Sequence, residues 1–173
     1  MSRLTHLARL LAATLACTLT ALLPLSASAQ GAVVSTPQVR AELVAHAPQG
    51  LAEGREVQLG LLIEHQPKWH TYWKNPGDSG LPTRLTWDLP AGVTVSEVQW
   101  PTPRQLPLGP LMNFGYEGRL LLPVSLNLPK GFAAQQLEVK LQAEWLVCRE
   151  VCIPESGDFS LTLPSQEIGR AHV

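Results

Sequence analysis

Cys148 and Cys152 are the residues of this 173-residue chain best suited to covalent chemistry. They lie in the run Glu144-Trp145-Leu146-Val147-Cys148-Arg149-Glu150-Val151-Cys152-Ile153-Pro154-Glu155. A bridge between them closes a loop of about five residues and restricts the unfolded chain by only about 2 kcal/mol, against about 4.7 for a hundred-residue loop. A short bridge near the surface is instead easily reduced and re-formed, so thiol–disulfide exchange is the first chemistry to consider. Arg149 inside the loop favours a thiolate at Cys148, while Glu150 and Glu155 oppose one, which leaves the sign of any thiolate tuning open. Spacing alone decides nothing. A static bridge closing a β-turn stays open, as does a soft-metal clip in which both thiolates, Met112 and a histidine such as His65 or His70 hold Cu(I). His46, His65 and His70 are scattered, however, and are not spaced as ligand pairs. Nothing in the chain resembles a Ser-His-Asp set, a phosphate loop or a paired-carboxylate site.

The N-terminus supplies the compartment. Arg3 and Arg9 precede an apolar run from Leu10 to Leu23, and Ala27-Ser28-Ala29 has the small-x-small pattern of a secretory cleavage site. The run is shorter than the roughly 20 residues of a membrane-spanning helix, and Pro24 ends it. A signal peptide over 1–29, cut after Ala29, removes Cys17 and leaves Cys148 and Cys152 as the only pair, in a compartment where disulfides persist. Removing Arg3 and Arg9 from 13 Lys and Arg leaves 11, against 14 Asp and Glu, a net charge near −3. With no basic cluster, nucleic acid and anionic membrane surfaces are poor partners.

The elements that must position the cysteines read as strands. After the signal no window shows a helical period, and short apolar runs are punctuated by Pro and Gly, 15 and 13 in the whole chain. The expected strands are Val39–His46, Glu56–Glu64, His70–Lys74, Arg84–Asp88, Thr94–Trp100, Arg119–Asn127, Gln136–Leu146 and Ser160–Leu163. Strands at roughly 8–12-residue spacing with turn signals between them indicate an all-β sandwich. A lead-in over 30–38, a domain over 39–164 and a tail over 165–173 complete the division. Alternation on the His70 strand places Trp69, Thr71 and Trp73 on one face, packed in the sandwich, and His70 and Tyr72 on the other, where they are candidates for a docking surface. Pro101 to Gly118 reads as a long loop, and its aromatic residues argue that it covers something. Residues four apart on an extended strand lie about 13 Å apart. A disulfide needs Cα atoms within about 7 Å, so Arg149-Glu150-Val151 must turn tightly if the bridge forms.

Three ordered motifs resemble a known family: Trp-His-Thr-Tyr-Trp-Lys-Asn-Pro-Gly-Asp-Ser-Gly-Leu-Pro (69–82), Phe-Gly-Tyr-Glu-Gly (114–118) and Trp-Leu-Val-Cys-Arg-Glu-Val-Cys-Ile-Pro-Glu (145–155). Together they are similar to the N-terminal domain of the DsbD thiol:disulfide interchange family, in its ScsB-like branch, over roughly Val39 to Leu163. The resemblance implies an immunoglobulin-like β-sandwich in the bacterial periplasm. It implies electrons received from a thioredoxin-like domain, itself fed by a transmembrane DsbD-type module present in cis or supplied in trans. Acceptors would be periplasmic disulfide oxidoreductases, including disulfide isomerases and the cytochrome c biogenesis pathway, and the ScsB-like branch adds a link to copper tolerance. The redox pair falls on Cys148 and Cys152, with Cys152 the sulfur that meets partners. A cap loop shielding the disulfide falls on Asn113, Phe114, Gly115, Tyr116 and Glu117, with Phe114 or Tyr116 as the shield. No cofactor or metal is required by this chemistry.

Overall fold

A computed structural model describes residues 31–166 and 168–171. The expected signal segment and its cleavage site lie outside the described residues. Twelve strands form two sheets, with no helix among the described residues. The first sheet runs β1 (Val33–Ser35), β2 (Val39–Ala47), β3 (Val57–His65), β9 (Arg119–Asn127) and β6 (Thr94–Val95) in spatial order, and β12 (Ile168–Ala171) also pairs with β2. The second runs β11 (Cys152–Pro164), β10 (Gln136–Cys148), β4 (His70–Gly77), β8 (Leu111–Glu117) and β7 (Arg104–Leu108), and β5 (Arg84–Asp88) pairs with β10. The named strand pairs are all antiparallel.

Alternating side chains build the core between the sheets. Leu43, Leu59, Leu61, Ile63, Leu122 and Val124 from the first sheet meet Leu137, Val139, Leu141, Ala143, Trp145, Val147 and Phe159 from the second. Burying each such side chain stabilises the fold by about 1.5–3 kcal/mol, which is why a period of two fixes which face points inward. The result is the all-β sandwich expected from the strand pattern, and it is immunoglobulin-like as the family resemblance implied.

Two expectations need correction. Pro101–Gly118 is not a long loop: β7 and β8 form a hairpin of five paired positions, from Arg104↔Gly115 to Leu108↔Leu111, turned by Gly109-Pro110. Its prolines hid it. Pro107 is tolerated because β7 is the edge of its sheet, where a strand needs no donor on its outer side. The strand expected over Thr94–Trp100 stops pairing after Val95. Beyond it, Ser96 donates to the Ser125 carbonyl and Gln99 to the Pro123 carbonyl, but Pro123 has no N–H to return. Arg84–Asp88 and Arg119–Asn127 appear with the expected bounds, and the other expected strands with altered ends. β4 continues to Gly77, β10 reaches Cys148, and β11 starts at Cys152 rather than at Ser160.

The candidate redox site and its family

The two cysteines sit at the tip of the longest hairpin in the fold. β10 and β11 pair at thirteen positions, and the last is Cys148↔Cys152. Only Arg149-Glu150-Val151 bridges the strands, closed by the Arg149 amide donating to the Val151 carbonyl at 3.1 Å. Cross-strand pairing therefore brings the Cα atoms to 4.1 Å, and the sulfurs form a disulfide. The tight turn that bridging demanded is a hairpin loop.

Strand parity decides what surrounds the bridge. On β10 the odd residues 137 to 147 point into the core and the even residues point outward. Cys148 is thus on the outer face, yet it is only 2% exposed, while Cys152 is exposed. The cover comes from β4, whose His70 lies opposite Cys148. Tyr72, two residues on, shares that outer face and places its hydroxyl 3.8 Å from Cys152 Sγ. His70 Nε2 lies 3.4 Å from the same hydroxyl, and the two rings meet edge to face with centroids 5.3 Å apart. Tyr72 is itself 1% exposed although it faces away from the core. Residues 78–82 fold over it. A Cβ on Gly80 would lie 2.3 Å from Cε1 of the Tyr72 ring, so only glycine lets the backbone approach this closely, at φ +95°. Asn113, buried on β8, latches this segment by accepting from the Ser79 amide at 2.9 Å and the Ser79 hydroxyl at 3.0 Å.

Residues 38–164 match the family described as thiol:disulfide interchange protein DsbD, N-terminal. The chain belongs to that family. Among solved structures, the N-terminal periplasmic domain of ScsB from Proteus mirabilis superposes with a TM-score of 0.56 at 23% identity, over 83% of this chain and 54% of that one. The chain spans about half the length of that relative, and the likeness is one of fold. The GAE domain of yeast GGA1 aligns at a TM-score of 0.40 and 15% identity, over 76% of this chain and 99% of that one, too loosely to bear on function. No curated protein matches the sequence.

In this DsbD-type domain the expected site residues divide sharply. Asn113, Phe114, Gly115, Tyr116 and Glu117 are strand residues of β8, and β4 stands between them and the cysteine hairpin. Tyr116 is buried in the core with its hydroxyl donating to the Pro101 carbonyl at 2.8 Å, and burial pushes that hydroxyl up to about 12. Phe114 packs edge-on against Trp73, 6.4 Å between centroids. The aromatic residue against the disulfide is Tyr72, not Phe114 or Tyr116. Of the residues proposed to tune a thiolate, Glu155 pairs with Trp145 in register and so faces away from the sulfurs. It accepts from the Trp145 indole at 2.9 Å and from the Thr36 hydroxyl at 3.0 Å, tying strand to lead-in. Arg149 and Glu150 are exposed in the hairpin loop, and the Arg149 guanidinium lies 5.1 Å from the Trp69 ring centre.

The soft-metal set is not gathered. His65 has both ring nitrogens engaged, Nδ1 with the Gly118 carbonyl at 2.7 Å and Nε2 with the Thr71 hydroxyl at 3.0 Å. Met112 is five residues along β8 from Glu117, about 17 Å at the rise of a strand, and Glu117 faces His70. Of the histidines among the described residues, only His70 is near the sulfurs. The expected division of β4 holds: Trp69 and Trp73 pack against the core, and His70 and Tyr72 take the opposite face. Burial holds His70 below its usual value, with Glu117 across the strand pair pulling the other way, and burial raises Tyr72. Sequence reasoning missed the contact of Tyr72 with Cys152 and the latch of Asn113 on Ser79. The clue to the latch was present in the Asp78-Ser79-Gly80 turn, but its partner lies 34 residues away.

Proposed function

We propose that this domain exchanges electron pairs with periplasmic proteins by cycling between a dithiol and the Cys148–Cys152 disulfide. The observation that carries the reading is the asymmetry of the bridge: Cys152 is exposed at a hairpin tip and Cys148 is buried beside β4. An incoming thiolate can reach Cys152 and not Cys148. In the oxidised domain a donor thiolate attacks Cys152 Sγ, the intramolecular S–S bond breaks, and Cys148 leaves as a thiolate. The donor's second thiol then attacks its own half of the mixed disulfide and frees Cys152. The reduced domain runs the same steps forward on an acceptor, with Cys152 attacking the partner disulfide and Cys148 resolving the mixed species.

The donor that best fits is a thioredoxin-like domain supplied by a transmembrane DsbD-type module, and the acceptors are oxidised periplasmic oxidoreductases, including those serving cytochrome c biogenesis. Family membership supports both assignments. The exposed side chains Val151 and Leu81, each 62% exposed, flank the approach to Cys152. Leu81 also lines a shallow groove with Pro82, Leu146 and Pro154, edged by Arg84 and Glu144, which gives a partner a mixed apolar and charged surface to cover.

Trapping distinguishes the roles. Reduced Cys148→Ala mixed with an oxidised thioredoxin-like protein should accumulate a mixed disulfide through Cys152, seen by intact mass, because the resolving sulfur is gone. Cys152→Ala should trap little. If neither variant forms the adduct, the exchange role is wrong.

A further inference from the structure

We infer that Tyr72 and His70 form the proton path of Cys152: Tyr72 is a catalytic residue that hands the thiol proton on, and His70 is the positioning residue that receives it. The inference rests on the exchange reading above and goes beyond it, because exchange needs a thiolate and Arg149, the one cation of the hairpin loop, is engaged elsewhere. Arg149 is stacked over Trp69 and Glu155 is on the far face. Among the described residues the polar side chain against Cys152 Sγ is the Tyr72 hydroxyl at 3.8 Å, and the next along is His70 Nε2, 3.4 Å from that hydroxyl. Sulfur, oxygen and nitrogen thus follow one another from an exposed nucleophile to a half-buried base.

A phenol alone is a poor acceptor for a thiol proton, but a phenol backed by imidazole can pass one along. The Cys152 S–H proton moves to Tyr72 Oη as the Tyr72 hydroxyl proton moves to His70 Nε2, leaving a thiolate and an imidazolium joined through the hydroxyl. The thiolate attacks one sulfur of the partner disulfide, that S–S bond breaks, and the partner's other sulfur departs with the electron pair. Cys148 then attacks Cys152 Sγ and the second partner sulfur leaves. Two electrons pass to the partner, and the protons of His70 and Cys148 neutralise its two thiolates. The groups facing His70 are Glu117 from β8, Cys148 from β10, Tyr72 on its own strand and His65 at the end of β3. Glu117 stabilises the imidazolium. The segment over Tyr72, held by Asn113 and by the close fit of Gly80, keeps water from competing for the hydroxyl.

Alkylation of Cys152 by iodoacetamide, followed by mass spectrometry across pH in the reduced Cys148→Ala chain, tests this without any partner protein. An ordinary thiol ionises near pH 8.5, so below about pH 8 the rate reports how far the path favours the thiolate. The expected parent profile has two steps, belonging to the coupled Cys152–His70 pair. Tyr72→Phe keeps the ring against Gly80 and should slow alkylation at least about tenfold below pH 8, the size expected for losing a hydrogen bond to an ionised group. His70→Gln keeps a partner for the hydroxyl but takes no proton, so it should reduce the profile to one step. If both variants retain near-UV circular dichroism and the parent profile, the proton path is overturned. Exchange by the wild-type chain with a thioredoxin-like dithiol separates the two ideas. Exchange with an unmoved profile sinks the path alone, and a moved profile without exchange sinks the exchange reading alone.

Discussion

Reducing the disulfide should leave the domain folded and cost it little. The bridge spans a sequence separation of four, so the loop it closes in the unfolded chain has about five residues and is worth about 2 kcal/mol in chain entropy. On the folded side, the hairpin does not depend on the bridge. Twelve further rungs hold β10 to β11, five more hold β10 to β5, and Cys148 is itself paired with His70. With an unfolding entropy of about 2.1 cal/mol/K per residue over roughly 140 residues, 2 kcal/mol corresponds to a fall in Tm of about 6–7 °C. Scanning calorimetry of the oxidised chain against the same chain in excess reductant, with Cys148→Ser/Cys152→Ser as a redox-silent control, measures it. Amide chemical shifts should change around Arg149–Val151, Tyr72 and His70 and stay put in the core strands. A fall in Tm beyond about 15 °C, or loss of near-UV circular dichroism on reduction, would show that the bridge is a staple and refute the reasoning.

Three further outcomes follow from the same geometry. Gly80→Ala puts a methyl 2.3 Å from the Tyr72 ring in a left-handed backbone, and should destabilise the chain by about 2 kcal/mol or more in urea titrations. Glu155→Ala leaves the buried Trp145 indole without its acceptor and should cost about 1–3 kcal/mol, while the alkylation profile of Cys152 stays unchanged because Glu155 faces the other way. His65 titrates below its ordinary value because burial disfavours the imidazolium, so the unfolded chain binds more protons. Stability contributed by neutral His65 is therefore present above about pH 6.5 and is lost as pH falls from there through the folded value. Denaturant midpoints measured from about pH 8 to 5 should fall less steeply in His65→Gln than in the wild type.

Much of this was legible in residue order. Strands such as Arg84–Asp88 and Arg119–Asn127 could be read to the residue, because alternation over a half-buried face is a local signal. The same signal separated Trp69 and Trp73 from His70 and Tyr72. It failed where pairing, not burial, makes the strand. The β7–β8 hairpin carries Pro107, Gly109, Pro110 and Gly115, a composition that reads as loop, and it is pairing with β4 and β7 that makes Leu111–Glu117 a strand. β1 and β12 are three and four residues long, too short for a period to show, and both exist because β2 offers them an edge. The shield of the disulfide was misplaced for a related reason. Which aromatic residue meets Cys152 depends on strand order across the sheet, and order is set by contacts far apart in sequence. Tyr72 and Cys152 are 80 residues apart.

Strand β10 divides its residues between two separate jobs by parity alone. Substitutions at Leu137, Val139, Leu141, Ala143, Trp145 or Val147 answer to the core, and those at Gln142, Glu144 or Leu146 answer to whatever docks outside. The second set can therefore change residue by residue without disturbing the packing of the first. Only the outward position that carries chemistry, Cys148, is fixed on that side, so one strand keeps its frame and its sulfur while the rest of its outer face can drift.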